Sequence, residues 1–162
     1  MSENRITITP QESHPALNPQ SRVWSLATIA WIGVIFFSST STAGRWSEQL
    51  YDAISRLFYT GSNNLGSDSL LHLLADKGFH VGLFLILAVF LWKTIPDARW
   101  KVTAILLLGL LVGSCSELLQ ALFPDRDPAL RDVLINLGGT TGGVTLCLGV
   151  RRRSQRNRNR SA

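Results

Sequence analysis

Four long apolar segments constrain this chain of 162 residues more than any other feature of its sequence. A helix needs roughly 17–25 apolar residues to cross a bilayer, and three of the segments have that length. The second segment has it only if polar residues form its first turns. Soluble enzymes and disordered chains do not bunch their apolar residues in this way. The predicted transmembrane helices cover residues 23–40, 76–95, 102–123 and 133–150.

The sequence therefore predicts an all-α membrane protein with a four-transmembrane-helix bundle in residues 21–150. Residues 1–20 contain three prolines and little periodicity, which predicts a flexible cytoplasmic tail. Residues 151–162 are rich in arginine and are predicted to form a second cytoplasmic tail that contacts anionic lipid. In the long loop after the first helix, apolar residues at helical spacing predict a short amphipathic helix on the outer membrane surface. Those residues are Trp46, Leu50, Ile54, Leu57 and Phe58.

The distribution of basic residues predicts the orientation, because cytoplasmic loops of membrane proteins are enriched in Lys and Arg. The chain has 16 basic and 11 acidic residues, a net charge of +5. If both termini are cytoplasmic, eleven of the sixteen basic residues lie on that side, six of them arginines after residue 150. We therefore expect both termini in the cytoplasm. Because the basic residues flank the apolar segments, we interpret the positive charge as a signal of membrane topology. We therefore expect no nucleic-acid partner.

The first apolar segment has a second interpretation, as a cleaved signal peptide. Small residues follow it between positions 38 and 43, where a signal peptidase could cut. Against this interpretation, the segment is longer than the apolar region of a usual signal peptide, and 22 residues precede it. A retained transmembrane helix is therefore the favoured interpretation.

Polar residues gather at the predicted outer ends of helices two, three and four. Asp76 and His80 are four residues apart and share a helical face. Glu117 is the most informative, because an acid at the centre of a membrane helix costs roughly 2.5–3.5 kcal/mol and needs a partner. Lys77, Arg126 and His80 are the candidate partners. Two interpretations remain open: an internal salt bridge that only holds helices together, and a functional site. The predicted polar cluster is Asp76, Lys77, His80, Glu117, Gln120, Arg126, Asp132 and Asn136.

A metal site is a weaker interpretation of the same region. His72, Asp76 and His80 are spaced by four residues and could share one stripe of a helix. However, Lys77 and the neighbouring arginines would repel a cation, so we expect no metal. The sequence also contains no Gly-rich phosphate loop and no paired-cysteine metal motif. We therefore expect no cofactor.

Glycines recur at four-residue spacing in the third and fourth predicted helices. Such pairs of small residues let membrane helices approach each other closely. We expect these two helices to pack tightly, which would bring their acidic and amide side chains together. The pairs are Gly109–Gly113, Gly138–Gly142 and Gly139–Gly143.

The order and spacing of these residues resemble the VanZ-like family over roughly residues 24 to 150. One departure is Phe84, where the family often has Tyr one turn after the histidine. The end of helix one, Phe36-Phe37-Ser38-Ser39, also resembles the family. The matching pattern is Asp76-Lys77-x-x-His80, Glu117-x-x-Gln120, Pro124-x-Arg126 and Asp132-x-x-x-Asn136-x-x-Gly139-x-x-x-Gly143.

The resemblance implies a small multi-pass protein of the bacterial inner membrane. The founding member of the family is associated with resistance to teicoplanin, a lipoglycopeptide antibiotic that acts at the cell envelope. The family brings no settled biochemical activity, so the resemblance indicates a class and a compartment rather than a reaction.

Three functions follow as alternatives. The first is binding of an amphiphilic envelope ligand, a lipid head group or a lipoglycopeptide, at the outer polar cluster, with Lys77 and Arg126 contacting its anionic groups. The second is a membrane enzyme acting on a lipid-linked envelope substrate, with His80 or Glu117 as general base. The third is a structural scaffold. Binding is the favoured interpretation because the sequence offers no recognisable nucleophile. The lipid bilayer is the partner predicted directly, and no oligomeric state follows from the sequence.

Overall fold

Four long α-helices account for most of the part of the chain that the computed structural model describes. The described residues are 19–42, 45, 49, 53, 65–124 and 128–161, with the backbone alone described for 65–76. None of these residues forms a β-strand, and each helix contains a segment long and apolar enough to cross a membrane. The predicted four-helix membrane bundle is therefore confirmed. The helices are α1 (Pro19–Ser38), α2 (Leu65–Thr94), α3 (Lys101–Gln120) and α4 (Leu130–Arg160).

Two helices extend beyond the apolar segments that predicted them. α2 begins at Leu65 rather than at residue 76, and α4 ends at Arg160 rather than at residue 150. An apolar run marks the part of a helix that lies within the membrane. The helix itself can continue into polar sequence until it reaches a helix-breaking residue. No Gly or Pro follows Gly149, and Arg and Gln are good helix formers. The predicted amphipathic helix and residues 1–18 lie outside the described residues, apart from isolated positions.

Glycine on α4 allows this helix to approach α2 closely. A Cβ atom at Gly139 would lie 2.6 Å from the Val81 carbonyl oxygen, and one at Gly143 would lie 2.6 Å from that of Leu85. Backbone atoms cannot move aside as a flexible side chain can, so the contact requires glycine. The other predicted pair on α4, Gly138 and Gly142, faces open space.

α3 also packs against α4 through glycine. A Cβ atom at Gly109 would lie 2.6 Å from the Thr140 side chain, and one at Gly113 would lie 3.3 Å from the Cβ of Asn136. The close packing of α3 on α4 that the sequence predicted is therefore present. An apolar core fills the remaining space between the helices. It consists of Ile35, Leu83, Phe84, Leu87, Ala88, Leu91, Ile105, Val112 and Val144.

α1 packs against α2 through its aromatic and hydroxyl side chains. The indole Nε1 of Trp31 donates to the Leu83 carbonyl oxygen at 2.9 Å. The hydroxyls of Thr28 and Thr94 share a hydrogen bond of 2.9 Å. From Thr28 to Trp31 along α1, the contacted residue moves back from Thr94 to Leu83 along α2, so the two helices run antiparallel.

Candidate functional site

The end of the bundle that contains the α3–α4 connection, here called the polar end, buries several polar side chains. Glu117 and Asp132 are buried there, and Asn136 has no exposed surface. Gln120 is buried one turn beyond Glu117 on α3. Buried polar groups are costly unless they are hydrogen-bonded, so the partners of each group decide what this end can do.

An ion pair joins α2 to α4 at the polar end. Nζ of Lys77 donates to Oδ2 of Asp132 at 2.8 Å. Nε of Arg131 lies 3.6 Å from the other carboxylate oxygen, Oδ1, which is too long for a hydrogen bond. Asp132 also lies in the first turn of α4, where the helix dipole favours a negative charge. Oδ2 of Asp132 is thus hydrogen-bonded to Lys77, whereas Oδ1 has only a longer-range ionic contact with Arg131.

A second contact between α2 and α4 joins His80 to Asn136. Nδ1 of His80 lies 3.3 Å from Oδ1 of Asn136. An amide oxygen can only accept, so in this pairing Nδ1 of the histidine carries the proton. The backbone carbonyl of Asn136 also accepts a hydrogen bond of 3.0 Å from the buried Thr140 hydroxyl.

Glu117 connects α3 to the segment that leads into α4. Its Oε2 accepts a hydrogen bond from the backbone N–H of Ala129 at 3.2 Å. The carbonyl oxygen of Ala129 in turn accepts a hydrogen bond from the backbone N–H of Asp132 at 2.8 Å, so Ala129 links Glu117 to the first turn of α4. The sequence suggested Lys77 as a direct partner of Glu117, but within the described residues Lys77 pairs with Asp132. The buried Asp132 carboxylate, in the first turn of α4, is the acceptor 2.8 Å from the Lys77 ammonium.

The structure brings together five of the eight residues of the predicted polar cluster: Lys77, His80, Glu117, Asp132 and Asn136. Gln120 is buried on the same helix as Glu117. For Asp76 the backbone alone is described, and Arg126 lies outside the described residues. Across the described ranges, no three His, Cys, Asp or Glu side chains are grouped as metal ligands.

One residue at this site escaped the sequence analysis, and a second entered it only as a departure from the family pattern. Ala129 contributes through its backbone N–H, which leaves no signal in a sequence pattern. Phe84 lies directly beside the site, with its ring near Gly113 and its Cβ near Gly139. Its burial in the apolar core gives a physical reason for an aromatic ring at this position.

Three buried polar atoms at the polar end have no hydrogen-bond partner among the described residues. They are Oε1 of Glu117, Oδ1 of Asp132 and Nδ2 of Asn136. Two of these atoms are acceptors and one is a donor. Native proteins pair more than about 90% of their buried polar groups with protein atoms or ordered water, so these three atoms are open positions for a water molecule or another hydrogen-bonding partner.

These features define a class: a multi-pass membrane protein of four helices with a polar cluster buried at one end. A family model described as VanZ/LLP1 matches residues 24–151, and the chain belongs to that family. The match extends from α1 to the first arginine after the membrane segment of α4, so it includes all four helices. No curated protein and no solved structure matches the chain.

Proposed function

We propose that this protein binds the polar head of an amphiphilic envelope ligand, a lipid head group or a lipoglycopeptide, at its polar end. We propose further that this end faces the outer leaflet of a bacterial inner membrane and that binding contributes to resistance of the teicoplanin type. The observation that carries the proposal is the set of three unsatisfied buried atoms on Glu117, Asp132 and Asn136.

The chemistry of these atoms favours a ligand rich in hydrogen-bond donors. Oε1 of Glu117 and Oδ1 of Asp132 accept hydrogen bonds, as hydroxyl or amino groups of a sugar would offer them. Nδ2 of Asn136 donates to a carbonyl or hydroxyl oxygen. The Lys77 ammonium already lies against Asp132, so sugar hydroxyls and amines fit the described part of the cluster better than a phosphate does.

An apolar surface beside the cluster suits the other part of an amphiphile. Four leucines at the end of α3, in the connection and at the start of α4 are exposed. Acyl chains pack on such a surface, whereas a free polar sugar does not. The proposal therefore places the polar head in the cluster and the acyl chain on these side chains. The leucines are Leu118, Leu122, Leu130 and Leu134.

An enzyme acting on a lipid-linked substrate is the alternative, since His80 and Glu117 are groups that move protons. The buried hydroxyl nearest to Glu117 along α3 is that of Ser116, which donates to the Gly113 carbonyl oxygen at 2.8 Å. A hydroxyl engaged in this way is not activated by a neighbouring base. This observation supports binding over catalysis.

Glu117→Gln tests the proposal genetically. Glutamine keeps the shape of the side chain and an oxygen that accepts from the Ala129 N–H, but it removes the charge. We expect normal protein levels in the membrane and loss of teicoplanin tolerance. Arg153→Gln, which removes one charge from the exposed end of α4, is the control and should keep tolerance. Full tolerance in both Glu117→Gln and Glu117→Ala would contradict a functional role for this residue.

A direct measurement uses purified protein with teicoplanin and with the same antibiotic after removal of its acyl chain. Ligand that binds the folded state raises the unfolding temperature. We expect stabilisation by the acylated form and little by the deacylated form, and Glu117→Gln should weaken the response. Equal stabilisation by both forms would contradict the amphiphile proposal. Release of a product from a labelled lipid-linked substrate would favour the enzyme instead.

A further inference from the structure

The opposite end of the bundle, here called the basic end, contains the α2–α3 connection and an open cleft of about 640 Å³ between α2 and α4. Apolar side chains of both helices form its walls, among them Val89, Leu146 and Val150. Lys93 and Arg151 line the same cleft. An apolar wall below two cations matches the layout of a phospholipid, whose phosphate lies above its acyl chains.

The cleft is lined by more cations than carboxylates. Oδ1 of Asp97 accepts from Nζ of Lys101 at 3.0 Å and from Nη1 of Arg151 at 3.2 Å. A guanidinium has five N–H donors, so Arg151 retains donors for an anion. Within the described part of the chain no carboxylate pairs with Lys93, whose ammonium lies 6.0 Å from the ring of Trp24. The cleft is therefore electropositive.

Tryptophans place the cations at the level of the lipid head groups. Trp24, Trp92 and Trp100, three of the five tryptophans, lie at the basic end. Trp concentrates at the boundary between acyl chains and head groups, because its ring is apolar and its N–H is polar. The Lys101 ammonium lies 4.6 Å from the ring of Trp92. The apolar walls of the cleft lie deeper in the bundle than these cations, and therefore at the depth of the lipid acyl chains.

We propose that the cleft at the basic end is a binding site for an anionic glycerophospholipid. Lys93 and Arg151 contact the phosphate, and one acyl chain lies along Leu146 and Val89. Basic pockets between transmembrane helices bind anionic lipid head groups, and the planar guanidinium suits a phosphate oxygen pair. The site is separate from the polar end, so it stands or falls independently of the function proposed above.

Native mass spectrometry of the full chain in detergent tests this site, with phosphatidylglycerol and phosphatidylcholine as probes. We expect the wild-type protein to bind phosphatidylglycerol about tenfold more tightly, since each cation near a lipid phosphate contributes measurably. The double variant Lys93→Gln/Arg151→Gln should reduce this preference to about twofold. The control Arg156→Gln/Arg158→Gln removes the same charge from the exposed end of α4 and should keep the preference. An equal loss in both variants would overturn the proposal.

Two further variants keep the test decisive if the double variant folds poorly. Asp97→Asn removes the anion that competes for Arg151, so the affinity for phosphatidylglycerol should rise several-fold. Misfolding cannot produce a gain in affinity, and an unchanged or lower affinity would contradict the site. Leu146→Trp fills the apolar wall and should weaken binding of both lipids. Glycerol phosphate, which lacks acyl chains, should not displace the lipid, and displacement would overturn the assignment to a phospholipid.

Discussion

The two ends of the bundle each contain a Lys–Asp ion pair, but the pairs differ in their exposure to solvent. At the polar end, Lys77 and Asp132 are 2.8 Å apart and the Asp132 side chain is 9% exposed. At the basic end, Lys101 and Asp97 are 3.0 Å apart and the Asp97 side chain is 62% exposed. An exposed carboxylate can rely on water, whereas a buried one depends on its protein partners. The buried member of the pair is the carboxylate at the polar end and the ammonium at the basic end, where the Lys101 side chain is only 9% exposed. Removing the cation therefore leaves a buried unpaired carboxylate at the polar end and a solvated one at the basic end.

The largest contrast that we predict concerns the side of the membrane on which each end lies. Cysteines introduced at Ala98 and Pro128 report on the α2–α3 and α3–α4 connections, in a background with Cys115 and Cys147 replaced by Ser. An impermeant thiol reagent added to whole cells should label position 128 and leave position 98 unlabelled, because basic residues favour the cytoplasmic side. The reverse pattern would place the polar cluster in the cytoplasmic leaflet.

The next contrast concerns stability, because removing a cation matters more where the carboxylate is buried. Lys77→Met takes away the hydrogen-bonded partner of Asp132 and should cost about 3 kcal/mol of stability. Arg151→Met should change stability little, since the exposed Asp97 keeps both Lys101 and water. The fraction of monodisperse protein after heating in detergent measures both variants. Equal losses would show that the two ends do not differ in the way their burial implies.

A smaller contrast tests the packing that holds the polar end in place. Gly139→Ala would force a methyl group against the Val81 carbonyl oxygen and should destabilise the bundle by roughly 1–3 kcal/mol. Gly138→Ala, one residue earlier on the same helix, meets open space and should be neutral or slightly stabilising. The same heating assay compares the two. A larger loss for Gly138→Ala would contradict the contact between α2 and α4.

The smallest predicted effect is the pH dependence of the basic end. The hydrogen bond from Lys101 lowers the pKa of Asp97 below its ordinary value of 3.8. A lowered pKa means that the contribution of the carboxylate is complete above about pH 4 and is lost as the pH falls through its folded value. The unfolding temperatures of wild type and Asp97→Asn should therefore differ by a constant amount from about pH 5 to 8 and converge in stronger acid. A difference that changes near neutral pH would contradict this assignment.

Hydrophobic runs predicted where the chain crosses the membrane better than where its helices end. The predicted starts and ends of α1 and α3 lie within four residues of the observed ones. α2 and α4 extend into polar sequence, because nothing there stops a helix. The bounds from sequence are therefore those of the apolar layer rather than those of the secondary structure.

The polar residues were predicted as a group, whereas their pairing was not. Helical spacing places Asp132 and Asn136 on one face of α4, and the glycines predicted that α3 approaches it. The close approach of α2 depends on Gly139 and Gly143 facing Val81 and Leu85. Spacing on one helix cannot specify its rotation against another, so the partner of Lys77 could not be chosen among the acids from sequence.

The length of α4 has a mechanical consequence, since this one helix carries residues of both ends. Asp132 and Arg151 are 19 positions apart, about 28 Å along a continuous helix. A rigid helix transmits torsion, so any turn of α4 about its axis at the polar end moves the Arg151 side chain through the same angle. One residue inserted at Thr145 would shift the two ends out of phase by about 100°, moving Arg151 from Asp97 while leaving Asn136 beside His80.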